Sequence, residues 1–120
     1  MPALLDLASS LAKHAAARQA MVATNVANAD TPGYRAMDLA PFSPDMGAQG
    51  MRQTRPGHVG AEDGPYRRYE IASVASDPNG NGVTLEDQVL RGIEAQRAHS
   101  RAVTIYSTAL DMLRAGLGRR

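Results

Sequence analysis

The sequence predicts a mainly α protein, with long N- and C-terminal helices paired as a coiled-coil-like bundle and joined by a loop-rich middle with at most short strands. Three observations carry this. Apolar residues recur at three- and four-residue steps near both ends of the chain. Six of the seven prolines, Pro32, Pro41, Pro44, Pro56, Pro65 and Pro78, lie between those ends and break any long helix there. One Phe, four Tyr and no Trp leave a 120-residue chain too little bulk for anything but a thin core. The expected organisation is residues 1–30 as the first helix, 31–83 as turn, loops and short hairpin, and 84–120 as the second helix. Both termini together form one structural domain.

The first helix is expected from about Ala3 to Ala29. Leu4, Ala8, Leu11, Ala15, Gln19, Val22 and Val26 follow one another at steps of four and three, an eleven-residue repeat close to the period of a straight helix. The stripe is narrow, is flanked by Lys13 and Arg18, and reads as a face turned toward a core. His14, set among alanines, reads as a surface or interface side chain.

Local chemistry ends this helix at Asn28 to Gly33. Thr31 precedes a proline and is pushed out of the α region. Pro32-Gly33 suits the centre of a type II turn, with glycine at positive φ. Asn28 and Asp30 can satisfy the last helical carbonyls. Asn25 and Asn28, three residues apart, share a face near Val22 and Val26. A buried amide there would fix register and partner number, whereas exposed amides would simply finish the helix. Spacing alone leaves both readings open.

In the middle, Tyr66 to Val74 is the best strand candidate, with Tyr69 and Ile71 on one face. Pro44 to Gly50 is expected to be disordered. The second helix is expected from Thr84 to about Gly116. Thr84 and Asp87 have capping-box spacing, and Glu86 and Asp87 sit at the positive end of the dipole. Val89, Ile93, Gln96, Ser100, Val103, Ser107, Leu110 and Leu117 lie along one face, with Leu113 beside them. Gly116 and Gly118 close the helix ahead of Arg119 and Arg120. Such a helix is about 48 Å long at 1.5 Å per residue. Two helices cannot enclose the apolar area that both present, so something else must cover the remainder.

Several function classes find no support. A formal net charge of +1 is a poor footprint for nucleic acid. There is no cysteine, and no apolar run approaches the ~20 residues that cross a bilayer. The N-terminus lacks the pattern of a cleavable secretory signal. His14, His58 and His99 are too far apart for metal-ligand spacing, and no phosphate loop or nucleophile elbow occurs. Asp77 to Gln88 follows a calcium-loop template at Asp77, Asn79, Asn81 and Gly82, then fails at its twelfth position, where Gln88 replaces the bidentate Glu. No cofactor, metal, catalytic residue or small-molecule substrate is therefore expected.

Asn25-Val-Ala-Asn28-Ala-Asp-Thr31-Pro32-Gly33-Tyr34-Arg35 resembles the N-x-A-N-x-x-T-P-G-Y-[K/R] signature of the bacterial flagellar axial proteins, the rod, hook and hook-associated subunits. Ala36-Met37-Asp38-Leu39 is similar to the proximal basal-body rod branch. Met51 to Val59 is similar to that branch's Thr-x-x-x-His segment, and Asn79 to Val89 to its lead-in to the terminal helix.

The resemblance implies a structural subunit whose terminal helices form an inner layer. Its copies would stack helically into the rod that crosses the periplasm and transmits motor torque. It implies as partners other copies of the chain, other rod subunits, the membrane ring or adaptor at the rod base, and the flagellar type III export apparatus, without a cleaved signal peptide. Leu4, Leu5 and Leu7 become candidates for export recognition, or equally plain helix core. Asn25, Asn28, Thr31, Pro32, Gly33 and Tyr34 are expected near subunit contacts, with Tyr34 packing on a helix. Leu4, Leu11, Val22, Val26, Val89, Ile93, Val103, Leu110 and Leu117 are expected to pack the helices. The alternatives are an axial subunit of another branch and a small coiled-coil adaptor.

Overall fold

The computed structural model describes residues 2–44, 66–72 and 83–118. Outside them lie His58, the Thr-x-x-x-His segment, most of the calcium-like template, the Pro44–Gly50 stretch beyond Pro44, and Arg119 and Arg120. The element order is α1 (Pro2–Ala27), β1 (Met37–Leu39), β2 (Arg68–Glu70) and α2 (Leu85–Gly118).

Alanine-rich sequence favours α1, which opens at a proline, the position where a missing N–H removes no helical bond. Thr84 stands directly before α2, its carbonyl accepting the Gln88 N–H at 3.0 Å, and Glu86 and Asp87 occupy the first turn. Asn25 meets Gln88, and Arg18 meets Glu94 further along, so the helices run antiparallel. Measured from that crossing, α2 outruns α1 by about two turns.

The seam between them is built of alanine. Ala8, Ala15, Ala95, Ala102 and Ala109 are all 2% exposed or less. Gln88, Ala95, Ala102 and Ala109 follow at steps of seven, as do Ala8 and Ala15 with half-buried Val22 beyond. The buried residues are spaced by seven, so the expected eleven-residue repeat does not describe the buried face. Leu11 and Val22 border the seam, while Gln19 and Val26 rotate out of it.

On α2 the difference is larger. Val89, Ile93, Val103 and Leu117 are 59%, 42%, 50% and 70% exposed, and Leu110 is half-buried. Val89, Val103, Leu110 and Leu117 stand one position, ~100°, round the helix from the seven-residue seam series, and Ile93 lies further round. Their bulk is the reason. A Cβ added at Gly92 would already lie 3.6 Å from Val22 Cγ1, in van der Waals contact across the seam.

β1 and β2 pair antiparallel, with Met37 opposite Glu70, Asp38 opposite Tyr69 and Leu39 opposite Arg68. The ladder extends through Ala40 N–H to Arg67 C=O (2.7 Å) and Ile71 N–H to Ala36 C=O (2.9 Å). β2 falls within the expected Tyr66–Val74 strand but is shorter. The sequence offered no candidate for β1 itself, but with β2 it makes a short antiparallel pair within the 31–83 span where a short hairpin is expected. It lies against α1, which buries Ala36, Asp38 and Leu39.

Candidate functional site

The turn after α1 is held from within. Thr31 C=O accepts the Tyr34 N–H at 3.2 Å across Pro32-Gly33, and Gly33 has φ 76°, as a type II turn requires. Asn28 finishes the helix, its Nδ2 donating to Thr24 C=O at 2.8 Å and its Oδ1 accepting from the Thr31 hydroxyl at 3.2 Å. Thr31, Pro32 and Gly33 remain exposed at the tip.

Asn25 does something different. It is fully buried, and its amide makes four hydrogen bonds. Nδ2 donates to Met37 C=O (2.7 Å) and to Gln88 Oε1 (3.0 Å). Oδ1 accepts from Met37 N–H (3.1 Å) and from the Tyr34 hydroxyl (2.9 Å). The side chain thus pairs with Met37 as a neighbouring strand's peptide group would, satisfying buried backbone that α1 itself cannot reach. The two amides divide the roles left open by spacing: Asn25 is a buried anchor and Asn28 caps the helix. Tyr34 reaches α1 through its hydroxyl.

The next anchor is Asp38, 1% exposed. Its carboxylate accepts from Arg18 Nε at 3.1 Å and Nη2 at 3.1 Å, from Arg91 Nη1 at 2.5 Å, and from the Leu39 N–H at 2.7 Å. Arg18 also pairs with Glu94 (2.9 Å), and Arg91 with Asp87 (2.8 Å) and the Tyr69 hydroxyl (3.3 Å). One buried charge therefore ties β1 to both helices. Burial pushes the Asp38 carboxyl up, but the hydrogen bonds from Arg18, Leu39 and Arg91 outweigh it and hold the group below its ordinary value. Burial lowers both arginines, and their acidic partners raise them by more. Sequence reasoning used Asp38 only as part of a family motif. The signal for its role was a lone carboxylate between Met37 and Leu39 without a turn residue.

His14 is a correction. It is not a surface side chain: it is 5% exposed, with Nε2 2.8 Å from Ala40 C=O and its ring against Phe42 (5.7 Å) and Tyr66 (5.3 Å). It fixes the chain leaving β1 against α1. Gln88, the failing twelfth position of the calcium-like template, is turned into the helix seam.

Outside these anchors, the surface carries the apolar stripe of α2 together with Leu4 and Leu7 of α1, 37% and 38% exposed. No described helix is long and apolar enough to cross a membrane. Among the described residues no group of three or more His, Cys, Asp or Glu could hold a metal ion.

The family described as "Flagella basal body rod protein" matches residues 5–35, which take in α1 from Leu5 and the whole turn. The flagellar basal body rod protein FlgB of Agrobacterium fabrum is 33% identical over 119 residues, covering 92% of this chain and 89% of the relative. The chain belongs to the flagellar basal body rod proteins, structural subunits of the bacterial flagellum.

Proposed function

We propose that the chain is a subunit of the proximal rod, completed by neighbours that cover the outer face of α2. One observation carries this reading. The intrachain seam is filled by alanine, while Val89, Ile93, Val103 and Leu117 are left at least 42% exposed. Covering what remains exposed of each is worth roughly half of the about 1.5–3 kcal/mol that full burial gives, a gain open only to a partner. Head-to-tail contacts between different patches do not close on themselves and give filaments. The neighbours in this reading are further copies of the chain and other rod subunits, with the membrane ring or adaptor at the base. The rod would cross the periplasm after export through the flagellar type III apparatus without cleavage of a signal peptide. Thr31, Pro32 and Gly33, exposed at the turn tip, would face those neighbours, while Asn25 serves the protomer's interior. Transmitting torque needs no catalytic group, only a shaft whose joints hold.

The test is complementation of a strain lacking the natural copy, reading swarming and the chain's content in purified basal bodies. Val103→Glu and Leu117→Glu should be made at normal levels yet be absent from basal bodies. Normal swarming with both would refute the reading. A closed, stable dimer in light scattering would favour a coiled-coil adaptor instead.

A further inference from the structure

The alanine seam leaves a question that its own chemistry does not answer. Ala8 and Ala15 on one helix, and Ala95, Ala102 and Ala109 on the other, repeat every seven residues with the same side chain. Sliding α2 by one heptad, about 10.5 Å, would bring alanine against alanine again. Apolar packing therefore discriminates poorly between registers.

One seam position breaks the repeat. Gln88 is fully buried where the next three heptads of the pattern carry alanine. Its Oε1 accepts from Asn25 Nδ2 at 3.0 Å, while its buried Nε2 has no hydrogen-bond partner among the described residues. An orphaned donor lowers stability, and alanine would fit the site. Asn25, for its part, is a fixed reference point, held by both polar groups of the Met37 backbone and by Tyr34.

We propose that Gln88 is a positioning residue that selects the register of α2 on α1 by hooking its amide to Asn25, at the expense of stability. Moved one heptad deeper, into the place of Ala95, Gln88 would give up its hydrogen bond to Asn25 and lie beside Ala15 and Arg18. Moved the other way, α2 would present Ala95 to Asn25, Ala98 to Asp38 in place of Arg91, and Arg101 to Arg18 in place of Glu94. A slide in either direction takes Arg91 from Asp38 and puts Thr84 or Ala98 in its place, so the ionic cluster resists both, and the hydrogen bond of Gln88 to Asn25 adds to that resistance. Register matters outside the seam too, because a one-heptad slide carries the outer stripe from Val89 to Leu117 along by the same distance. The inference does not depend on which neighbour covers that stripe.

The chain has no cysteine, so introduced pairs report register without interference. Val22→Cys with Gly92→Cys reports the register described here, since the added Cβ at position 92 lies 3.6 Å from Val22 Cγ1. Val22→Cys with Leu85→Cys or with His99→Cys reports a slide of one heptad in either direction. With Gln88 present, only the first pair should oxidise readily in the full-length chain. Gln88→Ala should raise the rate of the Val22–Leu85 cross-link by roughly tenfold or more, the factor that about 1.4 kcal/mol represents, without lowering Tm. Moving the amide, as Gln88→Ala with Ala95→Gln, should raise the Val22–His99 cross-link above its level in the Gln88→Ala chain. Unchanged cross-linking in both backgrounds would overturn the proposal, whatever happens to Tm. If Gln88→Ala lost its helical signal instead, the side chain would be a packing residue, and the proposal would be equally overturned.

Discussion

The Asn25 amide uses every donor and acceptor position it has, so truncating it strands the Met37 N–H and C=O together and frees the Tyr34 hydroxyl. Asn25→Ala should lower unfolding stability by about 2–4 kcal/mol, the sum of a few unmade buried hydrogen bonds rather than a lost hydrophobic contact. Asn25→Asp keeps the shape but turns an acceptor toward the Met37 carbonyl and Gln88 Oε1, and urea titration should find it no more stable than the alanine variant. Asp38 makes a prediction about pH. Its pKa is depressed on folding from an ordinary 3.8. The stability it contributes is therefore complete above that value and is lost as pH falls through the folded value. Acid unfolding should steepen below about pH 4, and Asp38→Asn should flatten that limb. The same substitution should remove roughly 2–3 kcal/mol at neutral pH, less than a wholly buried pair, because Arg18 and Arg91 still reach solvent. The Arg18–Glu94 contact adds little, since Glu94 is 63% exposed.

At the scale of elements, the turn separates conformation from contact. A Cβ at Gly33 would meet nothing within 4 Å, yet the residue sits at φ 76°. Gly33→Ala should therefore be destabilising by about 1–2 kcal/mol through backbone strain alone, and Gly33→Asn by visibly less, because Asn tolerates the left-handed region. Equal losses for the two in thermal melts would mean that the tip is held by something other than backbone geometry. This turn was legible in advance, because Thr-Pro-Gly-Tyr chemistry is local and Gly33 has one reason to be glycine. The extents of α1 and α2 were legible for the same reason, through caps and breakers. The seam was not. On α2 the largest side chains mark the outer face, while the buried face is drawn in alanines that also populate the exposed side of α1. β1 was hidden as well. Three residues pair only because Asn25 and Arg18, distant in sequence, supply the partners that Met37 and Asp38 need, and no local pattern encodes a partner that far away.

Across the whole molecule, the division of labour on α2 sets what assembly can use. Its inner face holds the protomer together through alanine, Gln88 and the arginine-carboxylate cluster. Its outer face keeps Val89, Val103 and Leu117 in water, at positions separated by multiples of seven, so they run parallel to the seam along the helix. A third helix with the same period could lie along them as a further strand of the coil. If so, the two faces respond independently to substitution. Val103 is 50% exposed and Leu117 is 70% exposed, so their replacement by Glu removes little that the isolated chain buries. Surface changes of this kind usually stay within about 0.5 kcal/mol. Ala102→Leu, by contrast, forces bulk into a seam with no room for it and should destabilise the protomer by about 1–3 kcal/mol. Urea titration of the purified chain and recovery in basal bodies should therefore sort the variants oppositely. The outer pair should leave the midpoint in place and abolish incorporation, whereas Ala102→Leu should lower the midpoint first and incorporation only as a consequence. A Val103→Glu chain that melted early would show the outer face to be part of the protomer's own core, and the shared-shaft reading would lose its physical basis.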